Sequence, residues 1–193
     1  MIIDTRPQAR GFAPAALLRR FAAIWLVLTA IILGSPSARA QNAESQTIKR
    51  LAARFYRTYL RLHILGLPNS AQMTELSPYL TSDLRARFRA ARRKEDAAIK
   101  RRPGEKPPFG DGDLFSSLFE GAQTFYVTDP AIRGGAARLP VHMQRRSPAP
   151  AVRWIDTLIL ERTADGWRVA NIRYGGKWKF RGGPSLRDNL KAD

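Results

Sequence analysis

VRWIDTLILER (152–162), TADG (163–166) and WRVANIRY (167–174) read together as a β-hairpin. The first segment is dense in β-branched and aromatic residues and free of glycine and proline, as suits a pleated, half-buried strand. Ala164-Asp165-Gly166 supplies the turn, and the second segment returns until Gly175-Gly176 stops it. Alternation sorts the first strand into two faces. Trp154, Asp156, Leu158 and Leu160 share one, and Ile155, Thr157, Ile159 and Glu161 share the other. Asp156 is an acid on an otherwise apolar face, and so the residue most in need of a partner.

Working back from the hairpin, Phe125 to Thr128 predicts a short strand ended by Asp129-Pro130. Ala136 to Gln144 predicts another, with Pro140 arguing for an edge or a bulge. Before residue 124 the period is helical. Ile48, Leu51, Ala52, Phe55, Tyr56, Tyr59 and Leu60 recur at three- and four-residue spacing. They predict an amphipathic helix from Gln46 to about Leu65, capped by Ser45 or Asn42 and stopped by Gly66 and Pro68. A turn of helix is expected from Met73 to Leu76. Thr81 should cap a helix over Ser82 to Lys100, with Leu84, Phe88, Ala91 and Ile99 inward and Arg85, Arg87, Arg89, Arg92, Arg93 and Lys94 outward. Prolines and glycines from Pro103 to Gly112 predict a loop, after which Asp113 reads as the cap of a short apolar helix, Leu114 to Phe119. Helices followed by an antiparallel meander define an α+β class, with N-terminal helices packed on one sheet.

The chain begins with an export signature. Arg6, Arg10, Arg19 and Arg20 precede an apolar run from Phe21 to Leu33, and Gly34-Ser35-Pro36 then leads to Ala38-Arg39-Ala40, a small-x-small cleavage pattern. The run is short of the roughly 20 residues that a spanning helix needs. A cleaved signal over 1–40 is therefore expected, with an uncleaved anchor as the alternative. Either way the domain is periplasmic or secreted. The expected organisation is a signal peptide over 1–40, one α+β domain over 41–176 and a mobile basic tail over 177–193.

The whole chain of 193 residues carries 33 Lys and Arg against 16 Asp and Glu, a formal charge of +17. Removing the leader's five basic residues and Asp4 leaves 28 against 15, a net +13. Such a surface attracts anionic partners and does so in a salt-dependent way. With no cysteine, thiol catalysis, disulfides and cysteine-based metal sites are excluded.

Phe55-Tyr56-x-x-Tyr59, Tyr79-Leu80-x-x-x-Leu84, Asp111-Gly112-Asp113-Leu114-Phe115 and the terminal Asp165-Gly166-Trp167-Arg168-Val169-Ala170-Asn171-Ile172 occur in this order. The arrangement resembles the exported bacterial domain-of-unknown-function family 3828 and, more distantly, the nuclear-transport-factor-like (cystatin-like) fold. That resemblance covers roughly Ile48 to Tyr174. It implies a curved sheet wrapped around a long helix as a cone, and little chemistry. The Arg-rich second helix and the Pro-rich insert at 103 to 108 depart from it.

Candidate sites follow from residue types. Asp156 can serve as a base in the mouth of a cone, with Tyr126 and Tyr174 on neighbouring strands lining the same pocket. Its plainer account is exposure near the strand start, or pairing with Arg153 or Arg173. Asp111, Asp113 and Glu120 lack the remaining ligands of a calcium loop. His63 and His142, the chain's two histidines, come with no nucleophile-elbow pattern. Arg85, Arg89, Arg92 and Arg93, together with Lys177, Trp178 and Lys179 in the tail, form the candidate binding residues. The partners they point to are an anionic envelope component or membrane surface, not nucleic acid. No cofactor or metal is implied, and the oligomeric state is open. The expected role is an exported, non-enzymatic binding or accessory module; the alternatives are a protein that associates with an anionic membrane or envelope polymer through its Arg-rich helix and tail, and a small isomerase or dehydratase using Asp156.

Overall fold

The computed structural model describes residues 36–178 and 183–191. The elements run α1 (Pro36–Leu62), α2 (Ser70–Leu76), a 3₁₀ turn (Ser77–Tyr79), α3 (Ser82–Arg101), β1 (Thr124–Val127), β2 (Ala131–Arg133), β3 (Ala136–Arg145), β4 (Val152–Thr163), β5 (Gly166–Arg173) and α4 (Leu186–Asn189). This is an α+β chain with one antiparallel sheet in the order β1-β3-β4-β5, β2 pairing with β3 beside β1. The chain divides into two units, Met1–Ala43 and Glu44–Asp193, and the second holds the sheet and its core.

The sheet's inner face follows the alternation along β4. Trp154, Asp156, Leu158 and Leu160 are buried, as are Leu139, Val141 and Met143 on β3 and Trp167, Val169 and Ile172 on β5. Between Val169 and Asn171 the register shifts, which places Ala170 as an extra, buried residue and breaks the alternation of β5. Ile48, Ala52, Phe55, Tyr56 and Tyr59 of α1 belong to the same core, as do Leu84, Phe88 and Ala91 of α3. Phe115 joins the layers, stacking on Phe88 at 5.6 Å and lying 6.1 Å from Phe55. Burying a side chain of this size contributes roughly 2 to 3 kcal/mol.

Several elements differ from their sequence expectation, each for a physical reason. The first helix starts at Pro36, which needs no N–H donor there, and ends at Leu62, where His63 takes a left-handed φ of 45°. Pro140 sits in a strand paired along its length with β4, not on an edge. Its carbonyl accepts from Thr128 N (3.3 Å), so the side of the residue that lacks an N–H faces the break between β1 and β2. Residues 114–119 form bends and not a helix; Asp113 accepts from Phe115 N (2.6 Å) as a local turn.

The tail also departs from the mobile segment expected. Over 183–191, Ser185 bridges to Arg173, Tyr174 N donates to Pro184 O (3.0 Å), and α4 buries Leu186 and Leu190. Together with Leu80, which bridges to Val169, this segment covers the open edge of β5. Of the expected leader, 1–35 lies outside the described residues; Ala38 and Ala40 are exposed in the first turns of α1. Among the described residues no helix is long and apolar enough to cross a membrane.

Candidate functional site

Asp156 is fully buried, so neither the exposed position nor the ion pair with Arg153 or Arg173 describes it. Its Oδ1 accepts from Ser117 Oγ and Gly175 N (2.8 Å), and its Oδ2 from Ser117 N (2.7 Å) and Trp154 Nε1 (3.1 Å). Two donors on each oxygen fill the carboxylate's acceptor sites. Asp156 therefore ties the loop at Ser117 and the chain at Gly175 to the sheet, and has no lone pair left to serve as a base.

The expected pocket of Tyr126, Asp156 and Tyr174 is not assembled. Tyr126 lies on the opposite face of the sheet, 61% exposed and stacked on His142 at 4.4 Å. Its register explains this: Tyr126 pairs with His142 and His142 with Ile155, the neighbour of Asp156 that points outward. Tyr174 donates its hydroxyl to Leu114 O (2.6 Å) and accepts from Asn189 Nδ2 (3.3 Å).

A second acid, Asp113, accepts from the Tyr59 hydroxyl. Burial pushes the Asp113 carboxyl up to about 7, against the opposing pull of the Tyr59 and Phe115 hydrogen bonds. Burial, helped by Asp113, also holds the Tyr59 phenol well above its ordinary value. Gly121, at φ 75°, lets the backbone pass here, since a Cβ would run into the Asp113 carboxyl. Tyr56 OH is buried without a hydrogen-bond partner, and its phenol is raised by burial and then by Asp156 and Asp113. Of the other acids once considered for calcium, Asp111 pairs with Lys106 and Glu120 is exposed. Among the described residues no group of three or more His, Asp or Glu gathers as metal ligands would.

The four arginines read from the second helix do converge. Arg85, Arg89, Arg92 and Arg93 line one side of a groove of about 650 Å³, with Ser70, Met73, Thr74 and Ser77 of α2 and the 3₁₀ turn on the other. Leu67, Pro68, Asn69 and Phe88 complete its lining. The helices that frame it are capped sharply. Thr81 accepts from Leu84 N (3.2 Å), and Asn69 with Gln72 forms a reciprocal capping box at the start of α2.

Arg92 differs from its neighbours. Its Nη2 donates to Leu67 O (3.0 Å) and Pro68 O (2.9 Å), and its Nη1 pairs with buried Glu95. It clamps the 67–68 segment onto α3 and so fixes the width of the groove. The guanidiniums of Arg85, Arg89 and Arg93 have no hydrogen-bond or ion-pair partner among the described residues. Of the nearby acids, Glu75 pairs with Arg61, Glu95 with Arg92, and Asp83 with Arg87 and Arg187; Asp96, three residues beyond Arg93, is exposed.

Lys177 and Trp178 do not line this groove. Trp178 is half-buried, its ring edge-on to Trp154 at 5.5 Å, while Lys177 is exposed and Lys179 lies outside the described residues. The sequence placed the arginines on one face but missed the opposing wall. Asn69-x-x-Gln72 was the readable signal that a helix starts at Ser70. No protein-family model, curated protein or solved structure matches the chain.

Proposed function

We propose that the chain is an exported, non-enzymatic binding module that holds an anionic partner in the arginine-lined groove between α2 and α3. One observation carries this reading. Arg85, Arg89 and Arg93 repeat every four residues along one wall, each without a carboxylate among the described residues. Three unpaired guanidiniums side by side repel one another, and an incoming anion relieves that repulsion while taking forked hydrogen bonds. The net +13 that remains once the leader is removed brings such a partner in from a distance.

Export through the leader at 1–40, and the cone-like form of the helix-on-sheet arrangement with its likeness to family 3828, belong to the same proposal. The saturated Asp156 supports the non-enzymatic side of it. The test is binding of a soluble polyanion to the full chain at low and at high salt. The expected result is affinity that falls steeply with salt and drops at least tenfold in Arg85→Gln/Arg89→Gln/Arg93→Gln. The same substitutions at Arg138, Arg153 and Arg173 on the sheet should leave it within twofold. Equal losses from both triple variants would reduce the groove to general surface charge.

A further inference from the structure

We infer that the groove's occupant is an acidic sugar chain, one whose units carry a carboxylate or phosphate alongside free hydroxyls. The inference rests on the anion-binding reading above and adds the chemistry of the opposite wall. Thr74 Oγ1 donates its proton to Ser70 O (3.0 Å), and Ser77 Oγ donates to Met73 O (2.6 Å). A hydroxyl has one proton, so what each still offers a ligand is lone pairs. Thr74 and Ser77 thus set lone pairs on the α2 side against the donors along α3, and the Ser70 hydroxyl beside them can donate or accept.

A ligand satisfying both walls brings acid oxygens to one side and O–H or N–H donors to the other. An acidic peptide brings acid oxygens with only a single main-chain N–H per residue and no hydroxyl, and a hydrocarbon tail brings neither. A sugar acid brings both on every unit. The arginine wall is periodic as well. Residues four apart on a helix rise about 6 Å, so Arg85, Arg89 and Arg93 offer three acid positions in a line. A linear chain of repeating acidic units fits that row better than a single ion does, and about 650 Å³ is room for several atoms beyond one anion. Arg92, which donates to Leu67 O and Pro68 O, is a positioning residue that ties the 67–68 segment to α3 and so sets the spacing of the two walls.

Titration calorimetry on the full chain tests this with four probes: oligogalacturonate, a phosphorylated oligosaccharide of the same length, oligoglutamate of equal charge, and phosphatidic-acid vesicles. At least one sugar acid should bind more tightly than oligoglutamate and the vesicles. It should lose at least tenfold in Arg85→Gln/Arg89→Gln/Arg93→Gln. Thr74→Val/Ser77→Ala should cost the sugar about fivefold, the loss of one or two modest hydrogen bonds, and leave oligoglutamate unchanged.

Urea midpoints matching the parent show that the variants are folded. Oligoglutamate binding as tightly as the sugars, with the arginine dependence intact, would overturn the sugar and leave the anion site standing. Vesicles outbinding the sugars would overturn it in favour of a membrane surface. Arginine substitutions without effect on any probe would overturn both readings.

Discussion

Asp156 sits beneath the sheet with four donors on its two oxygens, whereas Arg85, Arg89 and Arg93 stand along α3 with no ion-pair partner among the described residues. A charge under the sheet survives because the protein has supplied its whole solvation shell. A charge beside the groove is solvated by water and can exchange that water for a ligand at little cost to the fold. Saturation therefore marks a residue that builds the structure, and a missing partner marks one available for binding. Arg92 and Arg93, adjacent in sequence, fall on opposite sides of this line.

The largest effect should come from breaking the saturated region. Asp156→Ala strands two buried N–H groups, the part-buried Gly175 N–H and the Ser117 hydroxyl, at a cost of about 3 to 5 kcal/mol in urea unfolding. Asp156→Asn should lose nearly as much, because its amide turns donors toward donors. A loss below about 1 kcal/mol in either variant would show that the network contributes little.

Asp113 sharpens the contrast through pH. Its carboxyl is pushed up to about 7 in the folded chain and returns to roughly 4 on unfolding. Between those values the folded state holds more protons, so this group's stabilising contribution is complete below pH 4 and disappears as pH rises through 7. The loss is on the order of 4 kcal/mol at most. Asp83 and Asp188, whose carboxyls are held below the usual range by hydrogen bonds and basic neighbours, act in the opposite direction but at lower pH. Urea midpoints from pH 4.5 to 8 should therefore fall for the parent and stay flatter for Asp113→Asn. Parallel curves would contradict the raised value.

Smaller still is the cap that starts the groove's basic helix. Thr81→Ala removes the acceptor for Leu84 N and should cost about 1 kcal/mol, read again in urea. An unchanged midpoint would mean that packing alone holds that end of α3.

Local chemistry was legible and distant partnership was not. The two faces of β4, the Thr81 cap and the arginine face of α3 follow from spacing within one segment. Pro140 was readable as a residue without a donor. Locating it needed the gap between two strands that share the edge of β3. Asp113 looked like a helix cap because its partner Tyr59 lies 54 residues away, and Asp156 looked exposed because Ser117 lies 39 residues away. The groove itself needed α2 to come alongside α3, which no periodicity within either helix announces.

The central claim is that Arg85, Arg89 and Arg93 bind and do not build. Measuring polyanion affinity and urea midpoint on the same preparations of the parent and of Arg85→Gln/Arg89→Gln/Arg93→Gln tests it most directly. Affinity should fall at least tenfold while stability stays within about 0.5 kcal/mol, the usual range for exposed substitutions. Unchanged affinity, or a variant that loses stability along with binding, would contradict it.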